Sequence, residues 1–101
     1  MIVRISEALV KSGAEEDFMC RLRELVAGFP HRYDGLIDHE VLVDREDARR
    51  VVYLSRWRDE QALVTYAGPG WASDPVTFPG EDLLLSEPLT LRHFTASDPV
   101  V

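Results

Sequence analysis

Tyr53, Ser55 and Trp57 occupy alternate positions of the run from 50 to 57, so on a strand they share one face. A phenol, a hydroxyl and an indole side by side can hold a substrate oxygen and stack on a flat aromatic ring. Arg4 and Ser6 repeat the spacing in the run from 2 to 10. A guanidinium beside that face can steady a phenolate or superoxide as charge develops, or it can pair with a carboxylate. His31 follows Pro30 in a loop, whereas His39 and His93 fall on separate strand-like runs. Either of the last two can act as a general base, because the ordinary imidazole pKa lies near neutrality. Their separation argues against a shared metal, and alternation sends Asp38 and Glu40 to the face opposite His39. Tyr66, Trp71 and Phe78 complete the candidate binding residues. Each aromatic also has a packing reading: Trp57 as a core plug, Tyr53 as strand packing, Trp71 and Phe78 as caps on the core.

Glycine-rich phosphate loops, a serine nucleophile elbow and a zinc-type H-E-x-x-H are absent. The single cysteine, Cys20, excludes an internal disulfide framework and a cysteine-only zinc site. Eighteen acids face eleven bases for a net charge of −7, and the bases are scattered, so a nucleic-acid partner is not expected. No run is long and apolar enough to span a membrane, and the N-terminus opens directly into strand-like sequence, which suggests a cytoplasmic protein. The 101 residues read as one domain, 1–101, with a folded core over 2–95 and a loose tail over 96–101. A chain of this size buries about 65% of its surface, which leaves a modest core that a partner subunit would help.

The elements that position these residues follow from periodicity. Residues 2–10 are rich in β-branched side chains and predict a first strand. From Ala14 the period becomes helical: Phe18, Leu22, Leu25, Val26 and Phe29 line one face, with Cys20 opposite. Glu15, Glu16 and Asp17 suit the positive end of that helix, which Gly28 and Pro30 should stop. Residues 36–43 and 50–57 alternate and flank a charged turn, so they predict a hairpin. Asp59 can cap a short helix carrying Ala62, Leu63 and Tyr66. Three glycines and three prolines make 68–80 irregular; 81–86 can hold one helical turn, and 88–95 reads as a last strand. The order is β-α-β-β-α-β, an α+β ferredoxin-like arrangement, with strands one and three expected to be central and parallel. Both helices should cover one sheet face. On the other, Val3, Ile5, Leu9, Val52 and Leu54 remain, with Glu7 and Arg56 read as an ion pair. Such a face is expected to meet a second copy of the chain.

The segment Val52-Tyr53-Leu54-Ser55-Arg56-Trp57-Arg58-Asp59-Glu60-Gln61-Ala62-Leu63, with Lys11-Ser12-Gly13 and Asp34-Gly35-Leu36 before it, resembles the antibiotic biosynthesis monooxygenase family. The resemblance runs over about 2–95 and implies a dimeric α+β barrel, two sheets packed face to face with helices outside. Many members of that family oxidise electron-rich aromatic polyketides without metal or bound cofactor, and others degrade heme. Trp57 matches the tryptophan that ends strand three and lines the pocket. Tyr53 stands where polyketide-oxidising members can carry asparagine; Ser6 and Ala67 stand where heme-degrading members have asparagine and an iron-binding histidine. The chain therefore departs from both heme signatures. The resemblance implies a homodimeric, cofactor-independent monooxygenase-like enzyme acting on a hydrophobic phenolic or polyketide-type molecule. Arg4, Tyr53 and Trp57 are its candidate catalytic residues, and Ser6, Ser55, His39, Tyr66, Trp71 and Phe78 would bind substrate. A non-catalytic barrel holding a small apolar ligand, or an isomerase or cyclase on the same fold, remain alternatives.

Overall fold

A computed structural model describes residues 1–97. Its elements are β1 (Ile2–Leu9), α1 (Glu15–Ala27), α2 (Phe29–Arg32), β2 (Leu36–Val43), β3 (Arg50–Trp57), α3 (Glu60–Ala67), a 3₁₀ turn (Glu81–Leu84) and β4 (Thr90–Thr95). Among these residues no helix is long and apolar enough to cross a membrane. The hairpin β2–β3 closes where the Asp44 carboxylate accepts the N–H groups of Glu46 at 2.7 Å and Asp47 at 3.1 Å. Asp59 caps α3 by accepting the Ala62 N–H at 2.9 Å. Gly35 is obligatory at the start of β2, because any Cβ there would run into the Ala62 methyl.

Three expectations are corrected. The sheet order is β2-β3-β1-β4 and every neighbouring pair is antiparallel, including β1 and β3. The crossover through α1 brings β2 back running the same way as β1, and the hairpin then reverses the chain, inserting β3 between those two strands. Next, Pro30 does not end helical structure: it enters the first turn of α2, where a missing N–H costs nothing. Finally, Glu7 and Arg56 are not paired. Arg56 donates to Asp38 across the hairpin at 2.8 Å, while Glu7 is exposed opposite Val52 and Thr90.

Register assigns the two sheet faces. Arg4, Ala8, Val51, Tyr53, Ser55 and Trp57 are buried beneath the helices, against Phe18, Leu22 and Val26 of α1, Phe29 of α2, and Leu63 and Tyr66 of α3. The opposite face carries Val3, Ile5, Leu9, Val52 and Leu54, joined by Leu42 and Phe94, each 42% exposed, and among the described residues no element covers it. Cys20 is exposed on the outer side of α1. Of the tail expected to be loose, Ala96 is tied to the Met1 carbonyl at 3.0 Å, and residues 98–101 lie outside the described residues.

Candidate functional site

A cavity lies between the helix face of the sheet, α1 and α3, and the segment from Gly68 to Gly80 runs over it as a strap. Arg4 and Ser6 enter from β1, Tyr53 from β3, Tyr66 from α3, and Glu81 from the 3₁₀ turn; Phe18, Leu22 and Phe29 are among its apolar walls. Its free volume is about 20 Å³, room for about one water. Ligand-sized pockets are an order of magnitude larger. A flat aromatic therefore enters only if the strap moves.

Arg4 is the centre of the polar network. Its guanidinium donates to the Trp71 carbonyl at 2.7 Å, the Asp74 carbonyl at 2.8 Å and His93 Nε2 at 3.0 Å. It sits 5.7 Å from the Tyr66 ring centre, a cation–π distance. A guanidinium only donates, so His93 Nε2 accepts and the ring carries its proton on Nδ1. Burial, reinforced by the Arg4 charge, accordingly holds the His93 pKa below its ordinary value. Burial also lowers that of Arg4, against the opposing pull of Tyr66 and Asp74. Of the two readings of Arg4 in the sequence, the carboxylate pair is corrected: among the described residues it makes no salt bridge, and its partners are loop carbonyls and a histidine.

The aromatics form one cluster. Trp57 is fully buried, stacks on Tyr66 with centroids 4.4 Å apart, and donates from Nε1 to Ser55 Oγ at 2.8 Å. Both Trp57 and Ser55 lie behind Tyr66, outside the cavity lining. Tyr53 shares a 2.7 Å hydrogen bond with His39 Nδ1, so His39 is held to the tyrosine's outer end and does not line the cavity. Burial pushes both the Tyr53 and Tyr66 phenols up, although the Arg4 charge pulls Tyr66 partly back. Trp71 is partly buried and meets His93 in a T-shaped contact, ring centroids 4.8 Å apart, and Phe78 is core, its ring centroid 5.7 Å from that of Phe18. Of nine candidate residues, the structure brings Arg4, Ser6, Tyr53 and Tyr66 to the cavity. Among the described residues no three His, Cys, Asp or Glu side chains are grouped to hold a metal.

Sequence reasoning missed Glu81. It is only 3% exposed, and burial pushes its carboxyl up to about 7, offset in part by the Phe78 N–H. Nothing in one dimension separates Glu81 from Asp82: both look like first-turn acids, and only the fold turns one inward.

A family model described as antibiotic biosynthesis monooxygenase matches residues 1–68. Among curated proteins none matches significantly. A solved antibiotic biosynthesis monooxygenase is 20% identical over 96% of this chain and 99% of its own, with a TM-score of 0.74. A conserved protein from Methanosarcina mazei is 19% identical over 95% of this chain and 92% of its own, with a TM-score of 0.77. A variant of SnoaB, a cofactor-independent oxygenase from Streptomyces nogalater, is 22% identical over 98% of this chain and 95% of its own, with a TM-score of 0.73. At these identities the likeness to the solved structures is one of fold.

Proposed function

The chain belongs to the antibiotic biosynthesis monooxygenase family, and from that premise we propose that it is a cofactor-independent monooxygenase acting on a hydrophobic phenolic or polyketide-type molecule. The observation that carries the reading is the convergence of Arg4, Ser6, Tyr53, Tyr66 and Glu81 on one cavity whose remaining walls are apolar. An apolar wall suits a fused-ring substrate, and a small set of donors suits the oxygen it carries. In such chemistry a base makes the substrate anion, the anion reduces molecular oxygen, and a buried cation stabilises the negative charge. Gly68 and Gly80, with φ of +87° and +80°, bound the strap and give it hinges that other residues would resist.

The active unit is proposed to be a homodimer built on the helix-free sheet face, where Leu42, Phe94 and their neighbours would be covered by a second copy. Sedimentation showing a stable monomer at micromolar concentration would remove this part of the reading. Oxygen uptake with a panel of anthrones and hydroquinones tests the activity. The tight cavity and the full engagement of Arg4 favour, as a second reading, a barrel that binds an apolar ligand without turning it over. Binding of panel members without oxygen uptake would select that second reading.

A further inference from the structure

Glu81 is the charged cavity group to which the reading above assigns no role. It begins the 3₁₀ turn directly after Gly80, whose left-handed backbone aims the next side chain inward. Its Oε1 accepts the Phe78 N–H at 3.3 Å, and its own N–H is bonded to the Phe78 carbonyl at 3.1 Å. Arg4, the cation of the same cavity, is spent on Trp71, Asp74 and His93, and no salt bridge to Glu81 forms among the described residues. A buried carboxylate without a cation is costly. A glutamine would accept the same N–H bond at no such cost, so closing the turn does not account for an acid here.

Resting on the oxygenase reading, we propose that Glu81 is the general base that takes the substrate proton in this cavity. For an anthrone-type methylene, the C–H bond breaks, its electron pair stays on carbon and the proton bonds to a Glu81 oxygen. The carbanion adds molecular oxygen, the oxidant, to give a peroxide anion, and Glu81 returns the proton to its terminal oxygen. Loss of the second C–H proton with cleavage of the O–O bond leaves a carbonyl and one water, and Glu81 is again a carboxylate. The groups facing it are Arg4 and Ser6 from β1, Tyr53 from β3 and Tyr66 from α3, while α1 contributes only apolar side chains. Both phenols are pushed up and stay protonated, Arg4 stays charged, and His93 beyond it stays neutral. Glu81 is then the cavity group that changes charge near neutrality, at about 7.

The test is Glu81→Gln, which preserves shape and the Phe78 bond. With anthrone as probe, the variant should bind within about threefold of the parent under anaerobic conditions and lose on the order of 10²-fold or more in kcat. The parent's kcat/KM should rise with pH through a midpoint near 7, and the variant's should not. Turnover by the parent with equal turnover by E81Q would overturn the assignment while sparing the oxygenase reading. A parent inert to the whole panel would overturn that reading and this role with it. If E81Q does not fold, a parent profile flat across about pH 5.5 to 8.5 overturns the assignment by itself.

Discussion

Replacing Glu81 by Gln should also change how stability depends on pH, without any substrate. The folded carboxyl titrates at about 7 against an ordinary value of 4.5. Between those values the native state keeps a proton that the unfolded chain has released. Stability from this group is therefore complete below about 4.5 and is lost as pH rises through about 7. At about 1.36 kcal/mol per pH unit, the gap amounts to about 3 kcal/mol, a large share of the 5–15 kcal/mol or so that holds a domain together. His93 acts with the opposite sign: its pKa is lowered in the fold, so its contribution is lost as pH falls. Both proteins keep His93, so its effect cancels in the difference between them.

Urea unfolding of parent and E81Q at steps of pH gives that difference directly. The variant should gain about 3 kcal/mol on the parent between acid and mildly alkaline pH, becoming the more stable of the two at the alkaline end. Curves that stay parallel within about 0.5 kcal/mol would show that the carboxyl titrates like an exposed acid. That result would remove the physical basis for a carboxylate base poised near neutrality.

Arg4→Met should release the strap: two charge-assisted bonds at about 1.5–3 kcal/mol each are lost, offset in part by relief of a buried charge, for a net cost of about 2–4 kcal/mol. Amide exchange at Trp71, Ser73 and Asp74, bonded to the Gly68 and Gly70 carbonyls, should accelerate, and unchanged exchange would show that Arg4 does not hold the strap. Phe78→Ala should cost about 3–5 kcal/mol because the ring is core, and Trp71→Ala less because that side chain is only partly buried at the edge of the core; thermal melts in the reverse order would misplace the two rings. Cys20 should titrate fully with a thiol reagent in the native protein, and protection would mean that the outer face of α1 is covered.

The strands were the most legible part of this chain. β2 and β3 fall at 36–43 and 50–57 as alternation predicts, because on β3 buried positions alternate with partly buried ones and a register slip would turn the wrong set toward the helices. The stripe Phe18, Leu22 and Val26 fixed the inner face of α1 for the same reason. Strand direction was less legible: a helical crossover reads as parallel pairing unless a third strand inserts, and insertion is a property of the whole sheet. The site was half legible. Arg4, Ser6, Tyr53 and Tyr66 reach the cavity because strand parity and helical phase set their direction. Trp57 and Ser55 have the right parity but lie one layer too deep, since Tyr66 stacks over the indole. Glu81 was illegible because its direction depends on a left-handed glycine inside an irregular segment, where no period exists to read.

The strap and the cavity charge are one system, because a single guanidinium serves both. While Arg4 donates to the Trp71 and Asp74 carbonyls, those donors cannot also reach a substrate oxygen. A substrate anion that recruits Arg4 must displace the two carbonyls, and doing so frees the segment that roofs the cavity. Opening and charge stabilisation should thus occur together, with hinge rotation at Gly68 and Gly80. Most ligands slow amide exchange near their site. Here the Ser73 and Asp74 amides should exchange faster when an anthrone binds, even as core amides of β1 and β3 slow. Protection of Ser73 and Asp74 on binding would show instead that the ligand enters with the Arg4 clamp intact, and Arg4 would then be a structural tie with no part in stabilising the anion.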